Sequence, residues 1–134
     1  MATGFGVYYI QKLLNQQFGG TAYTFVGVDL ALCTTSGSAS ALGTEVSGGS
    51  YVRLSVPAST TTFPTISGGT TTINNNVTLT FVTSTGTWGT VTTVFVVEHG
   101  NSNILYFGDL VASQTVGTNN VFQFLANNFS VQLT

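Results

Sequence analysis

Two basic and four acidic side chains, one histidine and one cysteine hold nearly all the reactive chemistry of this 134-residue chain. They are Lys12, Arg53, Asp29, Glu45, Glu98, Asp109, His99 and Cys33. His99 follows Glu98 in what reads as a hairpin turn, and Asp109 falls across that hairpin. With Ser102 or Ser84 as nucleophile, these are the residue types of a Ser-His-Asp relay. Neither serine sits in a nucleophile motif, so the sequence favours a solvated turn histidine. A zinc site needs three or four ligands at close spacing, and this scatter of donors supplies none. Gly48-Gly49 and Gly68-Gly69 lack the following helix and lysine of a phosphate loop. Four carboxylates in the whole chain give little material for an acid–base pair. The expectation is a protein with no catalytic residues, no cofactor and no metal.

Three further groups could do chemistry of a softer kind. Cys33 ends an apolar strand and reads as a buried structural thiol; as the single cysteine it forms no internal disulfide. Trp88, Tyr51 and Tyr106 have the makings of an aromatic sugar platform, yet each falls on or beside a strand, where packing is the commoner fate. Arg53 alternates with Val52 and Leu54 and so occupies the less apolar face. It is either solvated or, in so uncharged a chain, paired with a carboxylate.

Charged residues make up 4% of the chain, against roughly 25% in ordinary globular proteins. A net charge of -2 with no basic patch argues against nucleic acid as a partner. Thr, Ser, Asn, Gln and Gly supply the polar surface, so copies repel one another weakly and association is favoured. No stretch approaches the ~18 apolar residues that a membrane span requires. The start, MATGFGVYYIQKLL, lacks the basic opening and cleavage site of a signal peptide.

The elements that must position these groups follow from periodicity. Residues Phe5 to Phe18 hold the one helical pattern, with Ile10, Leu13, Leu14 and Phe18 at helical spacing, Thr3 as a cap and Gly19-Gly20 as a stop. Its apolar face, widened by Tyr8 and Tyr9, must dock on a sheet or another subunit. Ala22 to Cys33 alternates as a strand with Val26, Val28, Leu30 and Leu32 on its better-buried side. Thr34 to Gly49 reads as a long surface loop. Tyr51 to Val56 is a strand ended by Pro57, and Thr60 to Gly69 is irregular apart from Phe63-Pro64. Thr70 to Ile73 forms a short strand, Asn74-Asn75-Asn76 a turn, and Val77, Leu79 and Phe81 mark the next strand.

Trp88 to Leu110 is the organising hairpin. Trp88, Thr90, Thr92, Val94 and Val96 should share one face, with Val91, Thr93, Phe95 and Val97 on the other. The run Val94 to Val97 is apolar on both faces, which suits a central covered strand. Ile104 to Val111 returns, then Val121 to Ala126 and Phe129 to Leu133 close the chain around an Asn127-Asn128 turn. Seven or eight short strands and one leading helix predict an all-β fold: an antiparallel, jelly-roll-like β-sandwich with a short N-terminal helix. The expected organisation is a single domain, with a helical segment over residues 1–20 and the jelly roll over residues 21–134.

Several segments together carry a family likeness. FGGTAYT, VGVDLALCTTS, GTEVSGGSYVR, TWGTVT and ILYFGDL occur in that order, the most specific being Gly43 to Arg53 and Trp88 to Val91. The chain resembles a family of small structural proteins of tailed bacteriophages, labelled tail-fibre proteins and related to jelly-roll capsid cement proteins. That resemblance implies a virion structural protein on the capsid surface that binds the major capsid protein and stabilises the shell. The alternative it implies is a tail or tail-fibre component whose loops contact host sugar. Either reading fits a homo-oligomer, a dimer or trimer, with no nucleic-acid or membrane partner. Phe5, Tyr8, Tyr9, Tyr51 and Arg53 are the candidate interface residues.

Overall fold

The structure, a computed structural model, describes residues 3–133. The elements in chain order are β1 (Thr3–Phe5), α1 (Val7–Phe18), β2 (Val28–Cys33), β3 (Leu54–Val56), β4 (Thr72–Asn74) and β5 (Leu79–Thr80). After these come β6 (Gly89–Glu98), β7 (Ile104–Val116), β8 (Gln123–Phe124) and β9 (Ser130–Gln132). Five strands form one antiparallel sheet in the order β1-β7-β6-β2-β3. The pairs β4-β9 and β5-β8 form two short ladders. Leu30, Leu32, Val94, Val96 and Leu105 of the sheet share one apolar core with Leu79, Phe81, Phe122, Phe124 and Phe129 from the ladder side. The fold is an all-β sandwich with a short N-terminal helix. Among the described residues the ladders do not join the main sheet, so strand pairing does not close a jelly-roll barrel.

The β6–β7 hairpin is central, as its apolar run predicts, and Val94 to Val97 are buried. Beside it, β2 departs from the expected one-sided strand. Leu30 and Leu32 enter the main core, while Ala31 and Cys33 enter a second cluster with Phe95, Val97 and Ile104, flanked by Leu42 and Phe107. Both faces are covered because the main core lies on one side, while Leu42 of the loop after Cys33 packs with Phe107 against the cluster on the other. The strand also begins later than alternation suggests, at Val28, leaving Val26 exposed.

Strict alternation fails along β6. Val91 joins Val94 and Val96 in the main core instead of sharing a face with Phe95 and Val97. The change of side falls at a register irregularity: Val91 pairs with Gln114 and Thr93 with Asp109, so β7 advances five residues while β6 advances two. Such an irregularity disrupts the ladder and increases the local twist, which re-aims side chains beside it.

The amino-terminal region also differs from the periodic reading. Thr3 to Phe5 pair with Gly108 to Tyr106 as an edge strand, and the helix begins only at Val7. Its N-cap is Gly6, which makes no side-chain cap, so the expected Thr3 cap is replaced. Glycine is required there by close approach, since a Cβ at Gly6 would lie 1.9 Å from the Ile104 carbonyl oxygen. Asn75, expected in a turn, is fully buried. Its carboxamide donates to the Val77 and Leu125 carbonyls and accepts from the Phe129 amide, which ties together β4, β9 and the chain after β8.

Candidate functional site

Pairing in the main sheet brings most of the titratable groups to one end. Register places Asp29 beside Ser55 and next to Val97, and it sets Val28 opposite Glu98. A bridge between Cys33 and Glu45 folds the long loop back onto β2. Arg53, just before β3, spans from that loop to the β6–β7 turn.

Arg53 is paired rather than solvated. Its Nε and Nη2 donate to Glu45 Oε1 and Oε2, both at 2.8 Å. Nη1 donates to the Asn101 carbonyl at 2.7 Å and Nη2 to Ser102 Oγ at 3.0 Å. The Tyr51 hydroxyl donates to Glu45 Oε1 and accepts from the Leu32 amide. These hydrogen bonds from Arg53 are the chief reason the Glu45 carboxyl lies below its ordinary range, against the opposing effect of burial. Burial pushes the Tyr51 phenol up. The guanidinium therefore staples the long loop, β3 and the hairpin turn in one fork-shaped contact.

Glu98 is buried and is held by neutral donors. Asn101 and Asn103 donate to Oε2 at 2.6 and 3.1 Å, Tyr23 to Oε1 at 3.0 Å, and the Tyr8 hydroxyl approaches both oxygens. Burial opposes ionisation here, but the four donors outweigh it and the carboxyl titrates below its usual value. The result is a latch joining α1 and the segment after it to the hairpin turn.

His99 makes no catalytic relay. Its Nδ1 lies 2.8 Å from Asp29 Oδ1 and 3.3 Å from Ser55 Oγ, so acid and hydroxyl share one ring nitrogen. A relay needs them on opposite nitrogens. The Gly100 amide donates to the other Asp29 oxygen. Burial raises the Asp29 carboxyl, and the His99, Gly100 and Ser55 contacts reverse that, leaving it lowered. Instead of a freely solvated turn residue, His99 is half exposed and tethered. The other imagined members are elsewhere: Ser84 donates to backbone carbonyls, Ser102 accepts from Arg53, and Asp109 accepts from Thr93 and Ser36.

The aromatic residues pack. Trp88 is buried, edge-on to Tyr51 at 5.3 Å, and its indole N–H donates to the Gly49 carbonyl. Gly49 holds a positive φ there, with the Trp88 ring 3.0 Å from where a Cβ would stand. Tyr106 lies between Phe5 and Tyr9, at 5.3 and 5.2 Å. Tyr9 also meets Tyr23, and Lys12 sits over the Tyr8 ring at 5.2 Å. All five candidate interface residues, Phe5, Tyr8, Tyr9, Tyr51 and Arg53, thus make contacts within the chain. Cys33 is fully buried, with its thiol pushed up to about 11 chiefly by burial.

What faces outward is apolar. The helix docks through Tyr8 and Tyr9, and it leaves Val7, Ile10, Leu14 and Phe18 exposed. The apolar helical spacing was legible in the sequence, but which part of the arc would remain uncovered was not. Phe25 and Val26, beyond Tyr23, are exposed as well.

A family model described as Podophage GP4 fiber I protein gp80 matches residues 4–132. The chain belongs to that family, and it is a phage virion structural protein of fibre type. No curated protein matches it.

Proposed function

We propose that this member of a podophage fibre family is a tail-fibre component that works by association and performs no catalysis. One contrast carries the reading. The charged groups at the sheet end are satisfied within the chain, whereas an apolar helical stripe is turned outward. A structural subunit needs this arrangement: an interior polar network that fixes the loops and an uncharged surface for contact. Of the two basic side chains, Arg53 is committed to Glu45 and Lys12 lies over Tyr8, which leaves no cationic track for nucleic acid. No described helix is long and apolar enough to cross a membrane. The accompanying fold reading is a jelly-roll-like sandwich with one layer reduced to two ladders.

Capsid cement, with the major capsid protein as partner, is the second reading, since the same uncharged exterior suits a shell contact. The family description favours the fibre. Host-sugar contact, if the fibre makes it, would use groups other than Trp88, which is buried and edge-on to Tyr51. Antibody labelling of virions, with copy number by quantitative mass spectrometry, tests the proposal. A handful of copies localised to the tail is the expected result; hundreds of copies over the capsid would overturn it. His99→Ala should leave infectivity unchanged, as its role is a tether to Asp29.

A further inference from the structure

We infer that the exposed stripe of α1, together with Phe25 and Val26, is the surface through which copies of this chain bind one another. The inference rests on the association reading above and adds its partner and its residues. Val7, Ile10, Leu14 and Phe18 recur at three- and four-residue steps and so lie along one side of the helix. Tyr8 and Tyr9 lie off that stripe and pack against the core where the helix docks. The stripe thus adds nothing to the internal core, yet Phe18 is 84% exposed and Leu14 51%. Water contact over four large apolar side chains in a row is unfavourable unless another surface covers them.

Charge and hydrogen-bonding chemistry point to a second copy as the occupant. Lys12 is the only charged residue of α1, and it is turned onto the Tyr8 ring. Gln11 and Gln17 flank the stripe, and a carboxamide both donates and accepts, so each can pair with its own kind across a symmetry axis. No charge beside the stripe selects a charged partner, and none repels an identical one.

Area decides how much surface must take part. At roughly 100–200 Å² for each fully exposed apolar side chain, the four stripe residues offer about 300–400 Å² per copy. A pair would bury about 600–800 Å², short of the ~1,000 Å² expected of a specific interface. Phe25 and Val26, 49% and 55% exposed, raise the pair to about 900–1,100 Å². They follow Tyr23, whose ring lies 6.2 Å from Tyr9 of the helix. The helix alone would give a weak contact; helix and following segment together reach the lower bound for a specific interface.

Sedimentation of the full chain across a concentration series tests this. Wild type should associate, and Leu14→Gln with Phe18→Gln should weaken association at least ~100-fold, the loss of two buried apolar anchors. Phe18→Gln alone, at a position exposed in the subunit, should weaken it about tenfold while melting as wild type does. Phe25→Gln should act in the same direction. Unchanged association in the double variant would overturn the inference, as would a wild type that stays monomeric. A monomeric wild type whose stripe variant is lost from virions would assign the stripe to a different virion protein, which also overturns it. None of these results alters where labelled copies sit on the particle, so the tail-fibre proposal stands or falls separately.

Discussion

Arg53→Met removes the guanidinium while retaining most of the side-chain stem, and its effect can be worked from the contacts. Two charge-assisted bonds to Glu45 at 2.8 Å are lost, with those to the Asn101 carbonyl and Ser102 Oγ. Breaking a fully buried ion pair costs about 3–5 kcal/mol, and an exposed one about 0–1 kcal/mol. The Arg53 and Glu45 side chains are 23% and 24% exposed, so water recovers part of the loss, and Tyr51 still donates to the carboxylate. A destabilisation of about 2–3 kcal/mol follows, or about 6–12 °C in Tm for a domain of this size. Scanning calorimetry at neutral pH measures it directly. The acid limb supplies a second readout. Arg53 hydrogen bonds hold the folded Glu45 carboxyl below its ordinary value of 4.5, with burial opposing and Tyr51 assisting. A lowered folded value means this stabilisation is complete above pH 4.5 and is lost as pH falls through the folded value. In Arg53→Met that part of the acid dependence should vanish. A Tm within ~2 °C of wild type would refute the staple. So would a cycle with Glu45→Gln showing coupling below ~0.5 kcal/mol.

Three other perturbations probe separate parts of the fold. Asn75→Ala should cost about 3–4 kcal/mol in urea unfolding, because it leaves the Phe129 amide and the Val77 and Leu125 carbonyls without their partner; a loss below ~1 kcal/mol would contradict this role. Cys33 should resist thiol reagents in the native protein and react once the chain is unfolded, since its thiol is buried and pushed up to about 11. Rapid native labelling would disprove that burial. Glu98→Gln should loosen the Tyr8 and Tyr23 latch and raise hydrogen exchange in α1, with about 1–2 kcal/mol lost at neutral pH. In wild type, lowering the pH through the depressed Glu98 value should loosen the same latch, whereas the variant should show no such step.

The sequence by itself determined the fold class and its centre. Alternation and β-branched runs mark a sandwich, and a segment apolar on both faces, such as Val94 to Val97, is stable only when covered on both sides. The scarcity of charge likewise pointed to association, and the resemblance carried by the Gly43–Arg53 and Trp88–Val91 segments pointed to a phage structural protein. Tertiary structure decided what depends on long-range register. The register irregularity between Val91 and Thr93 is one such case, and no pattern within β6 announces it because the extra residues lie on the partner strand. Glu45 and Arg53 are eight residues apart, but their fork forms only because the loop bridges back to Cys33 and the hairpin turn lies within reach of the guanidinium. Asn75 looked like any turn asparagine; two distant backbone groups, the Leu125 carbonyl and the Phe129 amide, make it a buried hub. The helix shows the boundary most plainly. Periodicity identifies an apolar arc, while the sheet, by offering room for Tyr8 and Tyr9, decides that Val7, Ile10, Leu14 and Phe18 face outward.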